Sequence, residues 1–350
     1  MRAITDEKNE NPGLVLPGWK SQKVGPHWFR TSLRRQYLQA VRSYCSIFFG
    51  DSVGSSRGYN SFDIQYVWSN GVTFNYDLTV EKSNEQHGGY VSLDIPGHVL
   101  DGMSDVDLRS FLFGLRKYEP KVTRFDIFYD DYQRLVTPSK IHNIIKKGDF
   151  SRFRKSQITQ VFKEGELVYN EVNFGNRGSN GSGKYMRIYD KAMESNNRQD
   201  CIRYEVELSG KRAQMAYDLL TQMGSVESMA SLYAELVVGA ICFVHRTGDR
   251  NIGRLKVYRF WERIKKNLSS VVLRIPVKHI TIESMFKFIE KQAIRTIAVL
   301  RETFVSDVDF FNWQATRLYE AELCLNPHQR NLIKENRRKT RFDDGLIFDY

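Results

Sequence analysis

Tyr189 lies between two cations at two-residue spacing in the run K-Y-M-R-I-Y-D-K, Lys184–Lys191. In an extended chain, side chains alternate between faces. Arg187, Tyr189 and Lys191 are therefore expected on one face, with Met186 and Ile188 on the other. The run C-I-R-Y-E-V-E-L, Cys201–Leu208, sets Arg203, Glu205 and Glu207 against Ile202, Tyr204, Val206 and Leu208 in the same way. If the apolar faces pack on helices, the remaining surface carries a tyrosine hydroxyl, flanking cations and carboxylates. Those are the parts of a phosphoryl transfer: a nucleophile, positive charge for phosphate oxygens, and hard oxygen donors for a metal ion.

A third run, K-V-T-R-F-D-I-F-Y-D-D (Lys121–Asp131), alternates Phe125, Ile127 and Tyr129 against Arg124, Asp126, Phe128 and Asp130. An acid inside such a strand is costly if it is buried alone. Asp126 is thus a metal ligand, an edge residue, or the ion-pair partner of an arginine such as Arg124 or Arg203. The plain alternative for Tyr189 is a half-buried strand tyrosine. For Arg187 and Lys191 it is pairing with Asp190 or the glutamates. Tyr185 and Tyr204 are the neighbouring tyrosines, and Tyr204 points to the apolar side.

The elements that must position these groups are legible in outline. The two runs read as a strand pair joined by the polar loop Ala192–Asp200, and N-R-G-S-N-G-S-G-K leads into the first of them without Walker spacing. Upstream, residues 1–22 read as a flexible arm and H-W-F-R-T-S-L as a strand. Helical spacing follows through Tyr37, Val41, Tyr44, Cys45 and Phe48 to a stop at Gly50. From Tyr59 to Leu100 the pieces F-D-I-Q-Y-V-W, V-T-F-N-Y-D-L-T-V and Y-V-S-L-D-I read as an antiparallel meander, punctuated by Asn70-Gly71 and Gly88-Gly89. Ser104 is placed to cap a helix. Pro138–Lys147 reads as a short amphipathic helix, and Q-I-T-Q-V-F and L-V-Y-N-E-V-N-F-G as strands. After Gly210 the periodicity is helical, with Thr281–Phe304 and Ser306–Cys324 the last two helices before a basic, solvated tail. The expected fold is α+β, an antiparallel β-sheet core backed by helices, with a helical C-terminal region. The expected division is residues 1–22, 23–270 and 271–350.

The 350 residues are 41% hydrophobic and 27% charged, a globular and not a disordered composition. Lys and Arg number 52 against 41 Asp and Glu, a net charge of +11 that suits a polyanionic partner. Cys45, Cys201, Cys242 and Cys324 are far apart and form no C-x-x-C, so neither a disulfide framework nor a zinc finger is indicated, and a reducing cytoplasm fits. The polar N-terminus carries no apolar signal core, and no apolar run approaches the length of a membrane span.

With these residues in view, the chain resembles the replication initiation factor family of rolling-circle initiators, found on plasmids, filamentous phages and integrative elements. V-T-R-F-D-I-F-Y-D-D resembles the family's "T-R-hydrophobic-D-hydrophobic" strand. V-N-F-G-N-R-G-S with R-I-Y-D-K-A-M-E resembles its Gly/Ser loop and tyrosine strand, and I-R-Y-E-V-E-L its "R-hydrophobic-E-hydrophobic-E" strand. Phe260-Trp261 falls where an aromatic pair is common. The resemblance spans about residues 24–270. It implies nicking of origin DNA by a tyrosine, a 5′-phosphotyrosyl link, a free 3′-hydroxyl primer and a divalent metal. Carried over by position, the tyrosine is Tyr189, flanked by Arg187 and Lys191, and the metal ligands are Asp126 and Glu205 with Glu207. Asn173-Phe174 and Asn176 depart from the family's loop pattern. The scattered histidines form no His-x-His pair, so carboxylate ligands and Mg²⁺ or Mn²⁺ are expected. The implied partners are origin DNA, supercoiled or single-stranded, and a host DNA helicase; a homodimer is left open. The competing reading is a DNA-binding protein without catalysis, a repressor or packaging factor, which would keep the basic surface without needing Tyr189 beside two carboxylates.

Overall fold

The computed structural model describes residues 14–15, 22–55, 58, 60–178, 182–195, 199–249, 251–266, 268–273 and 281–342. The chain runs β1 (Leu14–Val15), β2 (Gln22–Arg34), α1 (Leu38–Phe49), β3 (Ser52–Ser55), β4 (Ile64–Trp68), β5 (Thr73–Tyr76), α2 (Val80–His87) and β6 (Tyr90–Pro96). It continues through α3 (Gly97–Gly102), α4 (Asp105–Gly114), β7 (Lys121–Asp131), α5 (Pro138–Lys146), β8 (Phe150–Ser151), β9 (Ser156–Lys163) and β10 (Glu166–Phe174). Then come β11 (Lys184–Asp190), α6 (Lys191–Glu194), β12 (Ile202–Ser209), α7 (Lys211–Leu220), α8 (Val226–Ala240), β13 (Cys242–Phe243) and α9 (Arg259–Lys265). The C-terminal helices are α10 (Ile282–Phe288), α11 (Ile294–Glu302), α12 (Asp307–Leu323) and α13 (Pro327–Phe342).

Period-two alternation decides the architecture. Phe29 and Leu33 of β2, Phe125, Ile127 and Tyr129 of β7, Met186 and Ile188 of β11, and Tyr204, Val206 and Leu208 of β12 are all buried in one core. That apolar side packs on α7 and α8, whose Ala213, Ala216, Tyr217, Leu220, Tyr233 and Val237 are buried in turn. Phe125 meets Phe29 edge-on at 5.4 Å and Tyr233 at 6.4 Å. Each such side chain contributes about 1.5–3 kcal/mol by leaving water, which is what holds the helices against the sheet.

Among the described residues, eleven strands form one antiparallel sheet in the order β3-β4-β5-β6-β2-β7-β12-β11-β10-β9, with β1 paired to β2. The fold is the expected α+β arrangement of antiparallel sheet and backing helices. The long β2 and β7 lie at its centre, so Asp126 is not on an edge.

By contacts the chain divides into two compact units, Met1–Ile275 and Pro276–Tyr350. In the second, a π-turn at Ile289–Ala293 joins α10 to α11, and Phe310 of α12 packs against Phe304 at 5.6 Å and Trp313 at 6.0 Å.

Several local expectations are corrected. The strand predicted over Val72–Val80 stops at Tyr76, because the Thr79 hydroxyl accepts from Lys82 N and starts α2 instead. The basic tail, read from sequence only as solvated, is helical through Phe342, while residues 343–350 of it lie outside the described residues. Most of the predicted N-terminal arm also lies outside them, but Leu14–Val15 pairs with Lys23–Val24. Ser104 caps α4 as expected, accepting from Asp107 N.

Candidate active site

The sheet face turned away from α7 and α8 carries the polar half of each alternating strand. Register brings its residues into rows. Glu171 of β10 stands opposite Tyr189 of β11, which is opposite Arg203 of β12, which is opposite Asp130 of β7. The next row is Asn173, Arg187, Glu205 and Phe128, and the one after it Tyr185, Glu207, Asp126 and Trp28.

The Tyr189 hydroxyl donates to Glu205 Oε2 at 3.1 Å, and Arg187 Nη2 donates to the other oxygen of that carboxylate at 2.5 Å. A hydroxyl, a carboxylate able to take its proton, and a third group orienting the carboxylate form the logic of an activated nucleophile. Burial holds the Tyr189 hydroxyl well above the usual phenol range, and the charge of Glu205 adds to the shift. Burial alone would raise the Glu205 carboxyl too, but Arg187 beside it overrides this and holds it below the ordinary carboxylate range. Tyr189 is only 1% exposed.

Lys191 reaches this site by a different route from the one expected. The strand ends at Asp190, whose carboxylate accepts from Ala192 N and starts α6, and Arg134 grips that carboxylate from outside. Lys191 is therefore a helical residue, not a strand one. Its ammonium still stands 5.8 Å from the Tyr189 ring centroid, while pairing with Glu194.

Asp126 and Glu207 are register partners, and Arg124 joins them. Its Nη2 lies 2.5 Å from Asp126 Oδ2 and 3.2 Å from Glu207 Oε2. Arg177 adds a contact of 3.0 Å to Glu207. Burial pushes the Asp126 carboxyl up to about 6; Arg124 opposes the rise and Glu205 and Glu207 add to it. These oxygens are the donor class that Mg²⁺ or Mn²⁺ takes. As arranged, however, arginines occupy the positions between them. Among the described residues no group of three or more His, Cys, Asp or Glu side chains is disposed to hold a metal. The carboxylates fit a divalent ion in chemistry and not in their present geometry.

Glu171, Tyr169 and Arg177 were missed by sequence reasoning. Tyr169 donates to Glu171 Oε2 at 2.5 Å, and its ring centroid is 6.5 Å from that of Tyr189. The signal was available: alternation along L-V-Y-N-E-V-N-F puts Tyr169, Glu171 and Asn173 on one face. At the other end of the tyrosine row, Arg203 is 1% exposed and donates to both oxygens of the fully buried Asp130, at 2.7 and 2.8 Å.

Comparison with known proteins bears on this constellation directly. The sequence pattern described as replication initiation factor matches residues 120–312, more than half of the chain, and includes β7, β10, β11 and β12, though not β2. The chain belongs to the replication initiation factor family. Within that family setting, a curated relative, "Putative DNA relaxase NicK" of Bacillus subtilis (strain 168), is 28% identical over 152 residues. That match spans 40% of this chain and 41% of the relative, so the chain spans less than half the length of that protein. A solved structure, a rolling circle replication initiator protein from Geobacillus stearothermophilus, shares the fold with a TM-score of 0.57 at 17% identity. It covers 72% of this chain and 100% of its own.

Proposed function

We propose that this replication initiation factor cuts one strand of origin DNA with Tyr189, to begin rolling-circle replication. The observation that carries the reading is the hydrogen bond from the Tyr189 hydroxyl to Glu205, with Arg187 orienting the carboxylate. In the proposed step the Tyr189 oxygen bonds to phosphorus and its proton passes to Glu205. The bond from phosphorus to the 3′-oxygen breaks, and that oxygen takes up a proton to become the primer hydroxyl. The strand is left joined through its 5′-phosphate to Tyr189. Arg187 and Lys191 offset charge on the phosphate oxygens. Because the hydroxyl is buried, side chains around it must move for a phosphate to reach it; the Lys191–Glu194 pair stands beside the ring.

Tyr204 is a poor nucleophile because it is fully buried on the core side. Tyr185 is the next candidate; it is half-buried, and its hydroxyl donates to Asn173 Oδ1 at 2.6 Å, an amide oxygen that does not take the proton. Dependence on Mg²⁺ or Mn²⁺ at Asp126, Glu205 and Glu207 belongs to the same proposal. It requires Arg124 to leave Asp126, and such an ion would supply charge stabilisation at the phosphate. Origin DNA is the partner this reading needs, with a host helicase to open the nicked duplex.

One observation favours the non-catalytic alternative: the near-complete burial of Tyr189, which suits a protein that binds DNA without cutting it. The test is incubation of the protein with supercoiled plasmid carrying the DNA that flanks its own coding sequence, with Mg²⁺ or Mn²⁺. Open circles bearing protein on the 5′ end, lost in Tyr189→Phe while gel retardation persists, are the expected result. Retardation with no nicking by the unaltered protein overturns the nickase in favour of the binder.

A further inference from the structure

The polar face of the sheet continues past the buried tyrosine site onto β2 and β6, largely outside the segment matched by the family pattern. Register fixes which residues point there. Arg34 is opposite Tyr90 and Arg30 is opposite Asp94, while the intervening Leu33, Val91 and Leu93 are in the core. On the other side of β2, Trp28 is opposite Asp126 and Ser32 is opposite Lys121. A β-bulge between Arg30 and Thr31 lets Lys121 and Arg124 both keep this face.

The two halves of the face differ in charge. Around Tyr189 the arginines are matched: Arg203 with Asp130, Arg187 with Glu205, Arg124 with Asp126, Arg177 with Glu207. At the far end, exposed Arg34 has its guanidinium 4.6 Å from the Tyr90 ring centroid, and exposed Lys121 its ammonium at 5.3 Å. Among the described residues neither cation has a carboxylate in ion-pair reach. At the near end Arg124 lies 4.9 Å from the Trp28 ring, and the indole N–H of Trp28 has no acceptor among the described residues. Between them Arg30 is paired with Asp94 at 2.6 Å, leaving a neutral polar stretch. Arg34 lies six positions along the strand from Trp28, about 20 Å at the usual rise.

We propose that this strip, from Trp28 to Tyr90, binds single-stranded DNA leading to or from the Tyr189 site. Aromatic rings with adjacent cations at both ends of an otherwise polar strip match the chemistry of an unpaired strand. Bases stack on the rings, and the unmatched cations meet phosphates. A duplex hides its base faces and gains nothing from the rings. The proposal rests on the DNA-processing reading above but uses none of its catalytic groups.

The test is fluorescence anisotropy of a labelled thymidine oligonucleotide of about 20 nucleotides, single-stranded and, separately, annealed to its complement. Tyr90→Ala should weaken single-strand binding by about 5- to 100-fold and duplex binding little, with Tyr90→Phe close to the unaltered protein. Arg34→Gln with Lys121→Gln should reduce the slope of log affinity against log salt by about 1.4 on the single strand. Near-UV and far-UV circular dichroism of each variant checks its fold. Unchanged single-strand affinity in folded Tyr90→Ala, or equal losses on single strand and duplex, overturns the strip. If the protein never nicks yet binding depends on Tyr90, the nickase fails and the strip stands.

Discussion

The Tyr189 hydroxyl and the Glu205 carboxylate meet at 3.1 Å on adjacent strands, and Arg187 holds the far oxygen of the same carboxylate. Tyr189 and Arg187 come from one strand and Glu205 from its neighbour, so antiparallel register alone brings the three together.

Glu205→Gln keeps the volume and an oxygen able to accept from Tyr189, but cannot take a proton. Nicking should fall by about 10²- to 10⁴-fold, the usual worth of a positioned base. Gel retardation of the same plasmid should change little. A nicking rate equal to that of the unaltered protein would remove Glu205 as the proton acceptor.

Arg203→Met removes the guanidinium that pairs with Asp130 and leaves that carboxylate fully buried without it. Breaking a buried pair from one side costs about 3–5 kcal/mol. Replacing both residues, as Arg203→Met with Asp130→Leu, should recover most of that loss. Urea denaturation of the three proteins measures it; a single-variant cost under about 1 kcal/mol would mean that the pair is not holding β7 to β12.

Arg124 stands where an ion shared by Asp126 and Glu207 would sit. Arg124→Ala should therefore bind Mn²⁺ at least about tenfold more tightly than the unaltered protein, since it removes a competing cation and leaves two carboxylates facing each other. Electron paramagnetic resonance of free Mn²⁺ follows the titration. Equal affinity in both proteins would locate any ion elsewhere.

Lys184 supplies the pH dependence. Burial, reinforced by Arg212 and Arg152, lowers its ammonium from 10.5 to about 8, although it donates to the carbonyls of Arg152 and Ala240. Between these two values the unfolded chain holds more proton than the folded one. Stability contributed by this group therefore rises with pH through that window. Relative to Lys184→Met, the unaltered protein should gain stability from pH 8 to pH 10 in urea denaturation. A constant difference would mean that the folded ammonium keeps its ordinary affinity for protons.

Alternation of apolar and polar residues in Lys121–Asp131, Lys184–Asp190 and Ile202–Leu208 was enough to determine which side chains share a face, because a strand has only two faces. It also gave the α+β class, since helical periodicity after Gly210 had to supply the layer covering the apolar side. What alternation could not specify was which strand lies beside which. Tertiary pairing put β7 next to β12 and so joined Asp126 to Glu207, and it put β10 next to β11 and so brought the overlooked Glu171 opposite Tyr189. It also decided that Arg124 and Arg187 sit among the carboxylates, where the sequence left a metal ion as one of several readings. Lys191 shows the remaining gap. Local spacing extended the strand through it, but the Asp190 carboxylate, fixed by Arg134 from fifty-six residues away, turned the chain into a helix one residue earlier. Strand faces follow from local geometry; neighbours, charge balance and strand ends follow from contacts between residues distant in sequence.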